Sequence, residues 1–126
     1  MRLLLDTHIL LWAITNDSSL PTAARALIQD ESNEVFFSAA SVWEISIKHA
    51  LGRAGMPVSG AEALHWFHVS GYRELTIRAA HAAVELKSIH ADPFDRMLVS
   101  QALAEPLRLV THDSTVARYS DTVILV

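Results

Sequence analysis

The sequence predicts an α/β fold, a parallel β-sheet with helices packed on both faces. Three observations predict it. Short apolar runs alternate with helix-forming stretches along the chain, the pattern of successive βαβ units. Two of those runs end on an aspartate, at Asp6 and Asp113, the end of a parallel strand where such sheets bind ligands. No repeat, low-complexity tract or Pro/Gly-rich linker interrupts the pattern, so residues 1–126 are expected to form a single domain.

The elements follow in order. Met1 to Leu5 is a short apolar run, typical of a buried strand, and His8 to Asn16 reads as a helix. Pro21 suits a helix start, and the helix formers from Thr22 to Asp30 follow it. Glu34 to Ser38, with Val35-Phe36-Phe37 at its centre, is a second strand. Ser38 then opens a long helix that runs to about Leu51, with Gly52 at its C-terminal cap. After the break at Gly55-Met56-Pro57-Val58-Ser59-Gly60, a helix is predicted from Ala61 to Val69, a short strand from Tyr72 to Leu75, and a helix from Thr76 to Lys87. Asp92-Pro93 introduces the next helix, Phe94 to Ala104. Arg108 to Val110 is a strand leading into Thr111-His112-Asp113. A helical turn and a last strand, Thr122 to Leu125, complete the chain.

Composition excludes several function classes. The longest apolar stretch near the N-terminus, Ile9 to Ile14, falls far short of the roughly 18 residues of a membrane span. A secretory signal pattern is absent, and with no cysteine there is no disulfide framework, thiol nucleophile or thiolate zinc site. A cytoplasmic location is expected. Net charge is −4, against a simple electrostatic binder of nucleic acid. Of fourteen acids, setting aside Asp6, Glu44, Asp95 and Asp113 leaves ten, equal to the ten lysines and arginines. The acidity is thus that of one cluster, which needs cations before it meets a phosphate.

Each of these four acids has an ordinary structural role as an alternative. Asp6 and Asp113 each precede a helix and suit N-caps. In Asp92-Pro93-Phe94-Asp95, Asp92 suits an N-cap, Pro93 the first helical position and Asp95 the third, near the positive helix end. Glu44 lies inside a helix among Val42, Trp43, Ile45 and Ile47, where an acid is seldom buried without a partner or ligand. Its ordinary alternative is an exposed pair with Lys48. Taken together, all four stand near the tops of strand–helix units, where closing the sheet brings them together. Converging carboxylates repel and raise one another's pKa values. Mg²⁺ or Mn²⁺ relieves this, because hard cations take carboxylate and water ligands.

In sequence order, Leu3-Leu4-Leu5-Asp6-Thr7-His8, Ser41-Val42-Trp43-Glu44-Ile45, Asp92-Pro93-Phe94-Asp95-Arg96 and Thr111-His112-Asp113 resemble a PIN domain, above all the VapC-type toxins of bacterial toxin–antitoxin pairs. The resemblance covers essentially the whole chain. It implies a twisted parallel sheet in a three-layer α/β/α arrangement, a Mg²⁺- or Mn²⁺-dependent endoribonuclease with one or two ions, and inhibition by a cognate antitoxin. A homodimer is also expected. Matched residue by residue, Asp6, Glu44, Asp95 and Asp113 are the acidic quartet and metal ligands. Thr111 is a hydroxyl position beside the fourth acid and Thr7 a polar position after the first, with Asp92 a cap that has an accessory role available.

The chemistry expected is hydrolysis of an RNA phosphodiester by metal-activated water. Lys48, Arg53 and Arg96 are candidates for holding substrate phosphates, each with a solvated helix face or helix end as its alternative. Two other classes stay open on the residues alone. His8 and His112 beside proposed ligands suit a metallophosphoesterase or HD-type phosphohydrolase, although only four glycines are available for its loops. A Mg²⁺-binding receiver-like signalling module also clusters aspartates above a parallel sheet, but no lysine follows Lys87. Trp66 and Phe67 cannot both face one core, because adjacent helical positions diverge by about 100°. One of them, or Trp12, is a candidate for a subunit or antitoxin contact, with core packing the alternative for each. The resemblance implies an antitoxin that docks as an amphipathic helix in an apolar groove.

Overall fold

The computed structural model describes residues 1–126. Its elements are β1 (Arg2–Leu5), α1 (Thr7–Ile14), α2 (Thr22–Gln29), β2 (Glu34–Ser38), α3 (Ala39–Ala50), α4 (Gly60–Val69), β3 (Arg73–Leu75), α5 (Ala79–Ala82), α6 (Pro93–Ala104), β4 (Arg108–Thr111), α7 (Ser114–Ala117) and β5 (Ile124–Leu125). All strand pairs are parallel, and the five strands lie in the order β3-β2-β1-β4-β5. The expected parallel sheet with helices on both faces is therefore present.

Period-two alternation along the strands divides the interior into two cores. Leu3, Leu5, Val35, Phe37 and Val110 point to one face, where Ile9, Leu10, Ala24, Ile45, Ala63 and Phe67 of α1 to α4 cover them. Leu4, Phe36 and Leu109 point to the other, against Leu98, Val99 and Ala102 of α6 and Val116 of α7. Leu3, Leu4 and Leu5 are all fully buried, which is why this strand reads as an uninterrupted apolar run. Each contributes about 1.5–3 kcal/mol by leaving water.

Two glycines shape the helix that carries Glu44. Gly52, at φ +68°, donates to the His49 carbonyl while Arg53 N–H donates to the Lys48 carbonyl, both at 3.0 Å, closing α3 in a Schellman motif. Gly60 opens α4 where a Cβ would lie 2.8 Å from Ser46 Cβ, so its missing side chain allows α4 to cross close against α3.

One predicted element is corrected. The helix expected over Thr76–Lys87 is only the single turn Ala79–Ala82. Beyond it the chain is irregular, and Leu86 and Ile89 reach the second core while Arg96 Nη1 holds the Lys87 carbonyl at 3.1 Å. Tertiary packing outweighs the helix propensity of this alanine-rich stretch. No helix is long and apolar enough to cross a membrane.

Candidate active site

The chain builds β1, β2 and β3 outward in one direction, then crosses back over β1 to place β4 and β5 on its other side. The strand order reverses between β1 and β4, and the space beyond their carboxyl ends is where parallel α/β sheets bind ligands. A cleft of about 360 Å³ opens there, lined by Asp6, His8, Trp12, Glu44, Lys48, Asp92, Asp95, His112 and Asp113. All four acids of the predicted quartet are in it. So are Asp92 and Lys48.

The fold holds each acid by a different device. Asp6 caps α1, accepting the Thr7 N–H at 2.6 Å through Oδ1, while its Oδ2 accepts the Thr111 hydroxyl at 2.6 Å. That hydroxyl also accepts the Asp113 N–H at 3.0 Å, so one threonine joins the tops of β1 and β4. Asp113 caps α7 through Thr115 N–H at 2.8 Å. Asp92 caps α6, accepting from Phe94 and Asp95 N–H, with Pro93 at the first turn. This sets Asp95 at the third helical position, facing the cleft. The capping alternatives are thus real for Asp6, Asp92 and Asp113, and capping leaves their carboxylates lining the cleft.

Glu44 is different. It is 3% exposed, in the middle of α3, and Oε2 receives the Lys48 ammonium at 2.5 Å. The expected pair is present, but its Glu44 end is buried while Lys48 stays partly exposed. Oε1 has no partner at all, the one buried side-chain polar atom in the molecule left so. An unsatisfied buried acceptor costs about 1–3 kcal/mol. The orphan belongs to an acid surrounded by other acids.

The electrostatics are those of crowded negative charge. Burial, then the Asp6 and Asp92 carboxylates, push Asp95 up to about 7, against a lowering hydrogen bond from His90. Burial also raises Asp6, opposed by its bonds to Thr111 and Thr7. As the side chains stand, no three acidic or histidine groups converge as a ready-made ion-holding set. Each carboxylate is turned toward a local donor: Thr111, Lys48, His90 or Thr115. The acidic quartet offers a cation only carboxylate oxygens, and Glu44 Oε1 has no partner. That quartet suits a hard divalent ion such as Mg²⁺ or Mn²⁺ better than zinc, which prefers nitrogen and sulfur.

The family model for the PIN domain matches residues 3–121, nearly the whole chain. The chain belongs to the PIN domain family. Solved structures agree in fold. VapBC2 from Rickettsia felis, bound to a DNA fragment from its promoter, superposes with TM-score 0.70 at 20% identity, covering 100% of this chain and 98% of the other. VapBC-1 from nontypeable Haemophilus influenzae gives TM-score 0.63 at 15% identity, with 100% and 97% covered. A domain of a functionally unknown protein from Methanocaldococcus jannaschii gives 0.58 at 16% identity, with 93% and 81% covered. No curated protein matches the sequence.

Around this PIN-domain cleft the remaining predicted residues separate. Thr111 supports Asp6 directly, whereas Thr7 turns its hydroxyl to Ser41 Oγ at 2.9 Å and is buried outside the cleft wall. Arg96 does not reach the cleft. Its guanidinium binds the Lys87 and His90 carbonyls and the Tyr119 hydroxyl and lies over the Tyr119 ring, so it pins the loop before α6. Arg53 lines an adjoining cleft. His8 and His112 line the main one, but their rings flank Trp12, and His112 Nδ1 pairs with the Val126 carbonyl at 2.6 Å. Neither imidazole hydrogen-bonds a cleft carboxylate. Phe67 is buried, Trp66 is 48% exposed and Trp12 is half-buried, so the divergence expected of Trp66 and Phe67 holds.

Sequence reasoning missed His90. Its Nε2 lies 3.1 Å from Asp95 Oδ2, and its Nδ1 lies 2.7 Å from the Tyr119 hydroxyl. That hydroxyl already accepts from Arg96 Nη1 and from His90 N–H, at 3.1 and 3.2 Å. With its lone pairs taken, its proton has two acceptors in reach, the His90 carbonyl at 3.2 Å and the nearer Nδ1. When the hydroxyl donates to the nearer Nδ1, the ring hydrogen sits on Nε2 and is donated to Asp95. His90 sits in an irregular loop, where no periodicity reveals which way a side chain points.

Proposed function

We propose that the chain is a Mg²⁺- or Mn²⁺-dependent endoribonuclease, the VapC-type toxin of a toxin–antitoxin pair. Membership of the PIN domain family, which generally uses divalent ions, supports a hydrolytic nuclease. The observation that carries the metal reading is the orphaned, buried Glu44 Oε1 in a cleft with Asp6, Asp95 and Asp113. Like charges packed this closely, with Asp95 pushed to about 7, make a site that a cation relieves. Asp6, Glu44, Asp95 and Asp113 would hold the ion or ions. When bound, the metal supplies Lewis acidity at the phosphodiester and lowers the pKa of the attacking water.

The chain's own residues then have separate tasks. Thr111 and the Thr7 N–H fix both oxygens of Asp6. His90 orients Asp95 by the hydrogen bond it donates. Lys48, one turn beyond Glu44 and 26% exposed, balances Glu44 and offers a positive charge to a phosphate entering the cleft. No side-chain nucleophile is needed.

Two of the structural neighbours are VapBC toxin–antitoxin complexes, which supports an antitoxin partner here. An apolar groove of about 390 Å³ between α3 and α4, lined by Phe37, Val42, Trp43, Ala61 and Leu64, suits an amphipathic antitoxin helix. Trp43 and Trp66 are 61% and 48% exposed, and their apolar surface also suits the expected homodimer. Truncating Trp43 to alanine is expected to weaken antitoxin capture, and light scattering of the purified protein reports the dimer.

Induced expression in a bacterial host tests the toxin reading. Wild type should arrest growth and degrade RNA, while Asp6→Asn, expressed to the same level, should do neither. Arrest by both forms alike would contradict it.

A further inference from the structure

A second cleft, of about 310 Å³, adjoins the acidic one, and the two share His8 and Trp12 in their walls. Trp12 therefore stands as a ridge between them. It is half-buried and packs against the apolar core on the α1 face. Its ring centroid lies 5.9 Å from those of both His8 and His112. Arg53 lines the far side of the ridge. Its backbone is fixed by the bond to the Lys48 carbonyl that closes α3, and the His49 ring holds the Met56 carbonyl, pinning the loop that follows. Arg53 enters none of the ion pairs in the molecule. Lys48, the other Lys or Arg bordering either cleft, is tied to Glu44.

We propose that the Trp12 ridge and the cleft beyond it form a nucleotide subsite for single-stranded RNA, a base stacking on Trp12 and the neighbouring phosphate held by Arg53. The proposal rests on the ribonuclease reading above. Lys48 and Arg53 are the only lysine or arginine side chains lining the two clefts, so affinity there has to come from a few local contacts. An aromatic ridge supplies one, because every base has a π-face. Bases in a duplex are already stacked on one another, so only an unpaired strand presents them. The acidic cleft repels phosphates except through its cations, and a free guanidinium one ridge away marks where the flanking phosphate is accepted. The one acid in the second cleft, Asp17, is turned back to Ser19 N–H at 2.8 Å.

The test measures binding of two fluorescein-labelled probes, with Ca²⁺ replacing Mg²⁺ to keep strands uncut. One is a short oligoadenylate, the other an abasic ribose-phosphate oligomer of equal length. Trp12→Ala should weaken oligoadenylate binding by about five- to a hundredfold and leave the abasic oligomer unchanged. Arg53→Gln should weaken both probes equally and flatten the slope of log affinity against log salt by about 0.7. Arg53 is exposed, so this variant folds whether or not Trp12→Ala does. Wild-type affinity for oligoadenylate in both variants, as when the ridge serves a protein partner, overturns the subsite alone if wild type still cuts RNA with Mg²⁺. If wild type neither binds the oligoadenylate nor cuts RNA, the ribonuclease reading fails with it.

Discussion

The Thr111 hydroxyl donates to Asp6 Oδ2 at 2.6 Å, across the switch point between the two central strands. Both residues are buried at the carboxyl ends of β1 and β4. Thr111→Val keeps the shape and removes the donor, leaving Asp6 with one local partner and Asp113 N–H with none. The fold should lose about 1–3 kcal/mol, measurable by denaturant titration. Mn²⁺ affinity by calorimetry should drop about 10–100-fold, as when a ligand loses its supporting hydrogen bond.

Asp95 makes stability depend on pH in the direction opposite to an ordinary paired carboxylate. Its folded-state pKa of about 7 lies above the ordinary value of 3.8, so the folded protein holds a proton that the unfolded chain releases. Metal-free stability is therefore favoured at low pH and falls as pH rises from about 4 through 7. Asp95→Asn removes the effect. In chelator, its melting temperature should equal or trail that of wild type near pH 4.5 and exceed it near pH 8. Mn²⁺ should narrow the gap at pH 8.

His90 separates orientation from ligation. His90→Ala removes the donor to Asp95 Oδ2, whereas His90→Gln keeps an N–H at similar reach. Mn²⁺ affinity should weaken about 10–100-fold in the alanine variant, with substantial recovery in the glutamine variant. Equal affinity in all three proteins would remove His90 from the site.

Lys48 is the counter-charge that the buried Glu44 carboxylate has in this fold. Lys48→Met leaves Glu44 buried without its counter-charge, so the metal-free form should lose melting temperature. Mn²⁺ should restore more stability to this variant than to wild type, read by thermal melts with and without the ion.

Much of the fold was legible because strand and helix periodicities are strong where burial is complete. Leu3-Leu4-Leu5 and Val35-Phe36-Phe37 read as buried strands, and both feed the two cores. The stretch after Ala82 did not read correctly. Its alanines favour helix locally, but Leu86 and Ile89 are drawn to the second core by contacts distant in sequence. In the site, the aspartates were legible from their place at strand ends and helix starts. The depth of Glu44 was not, because a Glu–Lys pair one turn apart looks the same on a solvated face as in a cleft wall. Arg96 was a candidate phosphate contact or a solvated helix face, and the fold gives it neither role, turning it to Tyr119. His90 had no pattern to reveal it.

The central claim is that four carboxylates form one metal-dependent RNA-cleaving site, and RNA cleavage by purified protein tests it most directly. Wild type should cut single-stranded RNA with Mg²⁺ or Mn²⁺ and not in chelator. Asp6→Asn, Glu44→Gln, Asp95→Asn and Asp113→Asn should each reduce the rate by at least about a hundredfold while remaining folded. Cleavage that persists in chelator, or that survives Asp6→Asn and Asp95→Asn, would contradict the account.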